Sequence, residues 1–62
     1  MNREIASWRS YCGRIFDKEN PNKALDVSGS WPYSEVCSWV ENRMAALEKQ
    51  GLSNLDYEIF EV

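Results

Sequence analysis

The side chains that most often carry enzyme chemistry are scarce in this chain and poorly spaced for it. Its 62 residues contain two cysteines, Cys12 and Cys37, and no histidine. Without an imidazole base, the chain alone cannot build a Ser-His-Asp or Cys-His arrangement. The cysteines form no C-x-x-C motif, so a zinc or thioredoxin-type site has no support. We therefore predict no catalytic residues, no metal, no cofactor and no enzyme activity.

Acidic side chains are the remaining candidates for chemistry, and they are interpreted as solvated surface. Glu41 and Glu48 fall on one side of a predicted helix but flank no predictable pocket. Residues 17–22, DKENPN, carry the acids of a calcium-binding loop. The loop has no glycine at its sixth position, and Ser28 stands where the bidentate glutamate is needed, so calcium binding is not expected.

Two residues of the longest periodic stretch suit recognition rather than catalysis. Arg43 follows Trp39 by one helical turn and falls inside an apolar face, where a guanidinium must be paired or reach water. In one interpretation its stem packs flat and its head lies over Trp39 as a cation–π pair. In the other, both residues are exposed for recognition, because tryptophan and arginine are enriched among interface hot spots. We predict a partner-binding surface made of Trp31, Trp39, Arg43, Tyr57 and Phe60.

A helix over about 32–50 positions this surface. Its apolar residues form a stripe with two flanks: Val36, Val40, Met44 and Leu47 in the stripe, Tyr33 and Cys37 on one flank, and Trp39 and Ala46 on the other. This face is wider than the ~100° needed for one contact, so more than one neighbour is expected. Pro32 or Ser34 should begin the helix, and Gly51 should end it in a left-handed conformation.

The other predicted elements are a helix over about 3–18, a short strand over about 24–28 and a strand over about 56–61. The first helix places Ile5, Trp8, Cys12, Ile15 and Phe16 on one face. Gly13 falls on its polar side and is interpreted as a bend or a close approach by another backbone. If the two strands pair, the long helix is their right-handed crossover and they are parallel. The last strand could instead pair across a dimer.

The predicted fold is a small α+β domain over residues 1–62, with a two-helix core and a minimal sheet; the alternative is a mainly α, dimeric protein. A single core is marginally stable at this length, and the chain is rich in aromatics, with three Trp, three Tyr and two Phe. The cysteines are expected to be reduced thiols. With no signal or membrane segment predicted, we expect a cytoplasmic protein.

Charge is unevenly distributed along this acidic chain, whose net charge is −3. The first 23 residues carry five basic and three acidic side chains, whereas residues 24–62 carry two basic and seven acidic ones. Such polarity favours charge-complementary contacts with proteins. Nucleic-acid binding needs a basic footprint and is kept only as a third alternative.

These patterns together favour a small protein-binding module, an adaptor or inhibitor that covers a surface on a larger protein. Small inhibitors that phages make against host systems are of this size and composition, so a viral inhibitor is one form of the expectation. The main alternative is a self-assembling homo-oligomer whose aromatic surface is buried between its own copies. Nothing in the residues selects the partner.

Overall fold

The structure, a computed structural model, describes residues 9–62, which form a three-stranded antiparallel sheet and one helix. The elements in chain order are β1 (Tyr11–Asp17), β2 (Asn20–Val27), α1 (Tyr33–Lys49) and β3 (Leu55–Glu61). The strand order is β2-β1-β3, with β1 antiparallel to both neighbours. The two outer strands are therefore parallel to each other but are separated by β1. The predicted α+β class is confirmed.

The helix predicted over about 3–18 is wrong for residues 11–17, which form the central strand. Residues 3–8 of that prediction, with Ile5 and Trp8, lie outside the described residues, so the two-helix core is not confirmed. The segment alternates with period two, because Gly13 and Ile15 are buried and their neighbours are half-buried. As the central strand, this segment forms hydrogen bonds with a strand on each side. The stabilisation from this pairing outweighs the local preference for helix that the spacing of its apolar residues indicates.

The two ladders of β1 differ in regularity. β3 pairs with β1 without interruption, from Tyr11 opposite Glu61 to Asp17 opposite Leu55. The hairpin between β1 and β2 has register shifts on both sides of Phe16. The strand predicted over about 24–28 is the second half of β2, and the strand predicted over about 56–61 is β3. Their predicted direct parallel pairing is replaced by pairing of each with β1.

Side chains of β1 and β3 alternate between the two faces of the sheet. On the helix face, Gly13 and Ile15 stand opposite Ile59 and Tyr57. We call the other side the open face; it carries Cys12, Arg14, Phe16, Asp56, Glu58 and Phe60. Arg14 on this face lies over the Phe16 ring, 4.8 Å from its centroid, and bonds Glu58 at 2.8 Å.

The helix lies close to the sheet because β1 has a glycine beneath it. A Cβ built on Gly13 would lie 2.9 Å from Cγ1 of Val36 and 3.0 Å from Cγ2 of Val40. Both valines are buried, as predicted for the helix stripe. A neighbouring core cluster contains Ile15, Leu47 and Leu55, with Trp39 and Met44 packed against it. Gly13 therefore marks a close approach, made by helix side chains rather than by another backbone.

The ends of α1 follow the sequence prediction closely. Pro32 precedes the first helical residue and makes no side-chain cap, so Ser34 is not the cap. Gly51 has φ of 99°, and its N–H donates to the carbonyl of Glu48 at 3.0 Å. Leu52 N–H donates to the carbonyl of Leu47 at 3.3 Å. These two bonds form a Schellman motif, which confirms the predicted stop at Gly51. Within residues 9–62 no helix has the length and apolar character needed to span a bilayer.

Candidate functional site

A groove lies between α1 and β3, on the helix face of the sheet. It exists because α1 packs mainly on β1 and more lightly on β3, so one flank of the helix projects towards the sheet edge. The groove has a volume of about 670 Å³. Nine residues line it: Tyr33, Cys37, Val40, Glu41, Met44, Asp56, Tyr57, Glu58 and Ile59.

The outer edge of β3 borders this groove, and no other strand within residues 9–62 pairs with it. Lys18 N–H bonds Asn54 O at 2.9 Å, and Val62 N–H bonds Ser10 O at 2.9 Å. In residues 54–62, the even-numbered residues therefore direct their backbone N–H and C=O towards β1. The odd-numbered residues, including Tyr57 and Ile59, direct theirs away from β1, towards the outer edge. Tyr57 N–H donates to Asp56 Oδ1 at 2.7 Å, so that carboxylate lies at the free edge.

The electrostatics of the groove are acidic. Its lining residues include Glu41, Asp56 and Glu58 and no lysine or arginine. Glu41 belongs to α1, whereas Asp56 and Glu58 belong to β3 and carry their side chains on the open face. Glu58 is paired with Arg14 on the open face, at 2.8 Å. The ion pairs of the described residues leave Glu41 and Asp56 without a basic partner. A cationic ligand would therefore meet uncompensated negative charge at the rim of the groove and along the edge of β3.

Two tyrosines give the groove an exposed aromatic surface. Tyr33 is 55% exposed and Tyr57 is 48% exposed. The Tyr33 ring is held edge-on by Tyr11, with 5.2 Å between ring centroids. A hydrogen bond with Cys37 and the charge of the Cys37 thiolate raise the pKa of the Tyr33 phenol from its ordinary value. The groove thus offers large aromatic contacts with hydroxyl groups attached, which suit a protein interface.

The five predicted partner-binding residues are distributed over three surfaces. Trp31 and Trp39 pack edge-on, with 6.4 Å between their ring centroids, on the flank of α1 away from the groove. Arg43 on that flank pairs with Asp26 of β2. Tyr57 lines the groove, whereas Phe60 lies on the open face. The structure therefore brings together Trp31 and Trp39, and it separates them from the two β3 residues.

Arg43 has an ion-pair partner within the chain, which the sequence did not predict. Its side chain is 44% exposed and reaches Asp26 of the same chain, so the charge needs no outside carboxylate. The cation–π contact found among residues 9–62 joins Arg14 to Phe16, not Arg43 to Trp39. Arg43 and Trp39 remain accessible, and their role in binding stays a prediction.

The sequence interpretation omitted Tyr33, Cys37 and Met44 from its candidate surface. A signal for the first two was present, because they form the flank of the helix stripe opposite Trp39. What could not be read from the sequence is which flank the sheet leaves uncovered, since that depends on α1 crossing β1 at Gly13.

The two thiols are unpaired and lie on opposite sides of the sheet. Cys12 is on the open face and its Sγ lies 3.3 Å from the carbonyl oxygen of Ser28. Cys37 belongs to α1 and lines the groove. In the part of the chain that the structure describes, no three side chains of the metal-binding types come together.

Comparison of the chain with known protein families, with curated proteins and with solved structures finds no match. The groove and the edge strand beside it are therefore the features from which a function can be inferred.

Proposed function

We propose that this chain is a protein-interaction module, an adaptor or inhibitor that acts by covering a surface on a larger protein. The observation that carries the proposal is the groove between α1 and β3. It combines exposed aromatic rings, acidic residues without a basic partner in residues 9–62, and a sheet edge with which no other described strand pairs. Aromatic side chains surrounded by polar groups are the usual content of an interface core and rim.

The groove is favoured over the surface around Trp39 and Arg43 for a physical reason. Arg43 already has its counter-charge in Asp26, and Trp39 packs against the core cluster, so both have intramolecular roles. Tyr33 and Tyr57, by contrast, leave about half of their surface exposed to solvent. We infer a cytosolic setting from the two unpaired thiols, which suit a reducing compartment.

The test compares two variants of the same strand. Tyr57 and Phe60 are 48% and 44% exposed but lie on opposite faces of β3. Tyr57→Ala should weaken capture of the partner by about 1 to 4 kcal/mol, the range of interface hot spots, while Phe60→Ala should leave it nearly unchanged. Capture from lysate with mass spectrometry, followed by affinity measurement on the identified partner, gives both values.

Thermal unfolding of each variant shows whether it is folded when the affinity is measured. Loss of affinity in Phe60→Ala with wild-type affinity in Tyr57→Ala would place the contact on the open face and contradict the proposal. Sedimentation at several concentrations is the second check. A tight oligomer that persists on dilution, with the groove closed between copies, would support the self-assembling alternative instead.

A further inference from the structure

We propose that the partner of this groove is an extended, basic peptide segment that adds to β3 as a fourth, antiparallel strand. The inference rests on the function proposed above and names the chemistry of the partner. Three features support it: the edge of β3 with which no other described strand pairs, the direction of the backbone groups along that edge, and the charge around it.

The two edges of the sheet are protected to different degrees. β2 contains Pro21 and Lys23 and has two register shifts, features that discourage another strand from pairing with an edge. β3 is seven residues long, contains neither proline nor lysine, and pairs with β1 in an unbroken register. It therefore presents a regular row of donors and acceptors, the template that strand addition requires.

The geometry of the edge determines how the added strand is oriented. Tyr57 and Ile59 direct their backbone groups outwards, and their side chains lie on the helix face. In an antiparallel ladder, the peptide residues that bond Tyr57 and Ile59 have side chains on that same face, inside the groove. The intervening peptide side chains lie on the open face, beside Asp56 and Glu58.

This alternation defines the chemistry of the partner segment. Side chains that enter the groove meet Tyr33, Met44 and Ile59, so they should be apolar or aromatic. Those on the open face lie beside Asp56, which has no basic partner among residues 9–62, so they should be lysine or arginine. When the peptide carbonyl takes the N–H of Tyr57, the Asp56 carboxylate is released from it and can pair with a basic side chain. A segment alternating apolar and basic residues satisfies both faces.

Charge argues against a second copy of this chain as the added strand. Two antiparallel β3 strands in fully overlapping register would place Glu58 opposite the Glu58 of the copy, with both Asp56 carboxylates nearby. Like charges directly opposite each other destabilise strand pairing, and each chain carries a net charge of −3.

The experiment uses the full chain and a capped peptide of about nine residues in which valine alternates with lysine. Nuclear magnetic resonance measures hydrogen exchange of single amides at peptide concentrations up to about 1 mM, the weak end of the specific affinity range. Exchange of Tyr57 and Ile59 should slow on peptide addition. Glu58 and Phe60, whose amides already bond β1, provide the internal control and should change little. Unchanged exchange at Tyr57 and Ile59 at the highest concentration overturns the inference.

Two further peptides test the strand geometry. N-methylation of the valines removes the donors that face β3 and should abolish binding. N-methylation of the lysines removes donors that face solvent and should leave binding within about threefold, the scale of a sub-kcal/mol effect. Binding that survives methylation of the valines overturns the strand-addition geometry.

Charge is tested by replacing lysine with glutamate in the peptide, which should weaken binding at least about tenfold. On the protein, Asp56→Asn keeps an acceptor oxygen but removes the charge, and should weaken the lysine peptide about two- to fivefold. Equal binding of the acidic peptide overturns the basic assignment. If the Tyr57 and Ile59 amides exchange more slowly when the protein concentration is raised without peptide, the edge pairs with a second copy of the chain. That result also overturns the assignment of a basic peptide.

The failures of this inference and of the proposed function are distinguishable. If Tyr57→Ala weakens capture of the natural partner while that partner leaves the Tyr57 and Ile59 amides unprotected, the interaction module stands and strand addition fails. If capture is insensitive to Tyr57→Ala, the groove assignment fails whatever the peptides do.

Discussion

Val36 packs over Gly13 so closely that a Cβ on Gly13 would lie 2.9 Å from Cγ1 of the valine. This contact determines the distance between α1 and the central strand. It also affects the groove, because a helix that rests on β1 at this point leaves its Tyr33 and Cys37 flank projecting beside β3. The fold and the candidate site therefore share one structural requirement, a missing side chain at residue 13.

Gly13→Ala should lower the free energy of unfolding by about 1 to 3 kcal/mol, because the added methyl group forces Val36 and Val40 away from the sheet. Chemical denaturation measures the loss. Val36→Ala should cost stability alone but relieve part of the Gly13→Ala penalty when combined with it. Fully additive losses in that double-mutant cycle would show that the two residues do not limit each other.

Leu47→Ala should cost about 2 to 5 kcal/mol, because Leu47 is buried in the cluster with Ile15 and Leu55 and leaves a cavity when truncated. In so small a domain this loss removes most of the cooperative thermal transition. Ala45→Ser, on the exposed side of α1, serves as the matched helix control. A cooperative transition of Leu47→Ala within a few degrees of wild type would be incompatible with this core.

Arg43→Ala should reduce stability by only about 0.2 to 1 kcal/mol, since its ion pair with Asp26 is partly exposed, at 44% and 28%. Asp26→Asn should cause a similar loss, and the double variant little more than either alone. The same samples test the prediction that Arg43 binds a partner. Unchanged affinity removes Arg43 from the interface, whereas an affinity loss of about 1 to 4 kcal/mol in a folded variant would restore it.

Tyr33 should titrate at a higher pH than an ordinary tyrosine, because Cys37 beside it raises the pKa of the phenol. As the pH rises through the titration range of tyrosine, this residue ionises in the unfolded chain before it ionises in the folded one, so folded-state stability should decrease. Cys37→Ala should shift the Tyr33 titration back towards its ordinary value. Ultraviolet titration of tyrosinate, with Tyr33→Phe to identify the signal, measures both. An unaltered titration in Cys37→Ala would exclude the thiol as the cause.

The parts of the fold that were predicted from sequence are those with local causes. α1 has apolar residues at helical spacing and Gly51 at its end, and the structure confirms both the stripe and the stop. β3 was recognised from its short run of alternating and aromatic residues, within a residue at its start. These features depend on residues close together in the chain, which is why they could be read from it.

The sequence predicts a helix where the central strand lies, because the apolar residues there fit both a helical and a strand periodicity. Cys12, Ile15 and Phe16 fit a helical face, whereas Tyr11, Gly13 and Ile15 fit one side of a strand. The choice between them is made by pairing with β2 and with the distant β3, and no local propensity reports that pairing. The groove flank of α1 is absent from the predicted surface for the same reason, since only the sheet order shows which side of α1 the described strands leave uncovered.

The pairing of Val62 with Ser10 also has a mechanical consequence. The N–H of Val62 bonds the carbonyl of Ser10 at 2.9 Å, so the two ends of the β1–β3 ladder emerge side by side. Tension applied between Ser10 and Val62 acts perpendicular to the antiparallel strands. This unzipping geometry breaks the hydrogen bonds of the ladder one at a time, whereas a shear geometry would load them all together. Pulled from these points, the domain should yield at low force, with β3 peeling away first and the hairpin of β1 and β2 left behind.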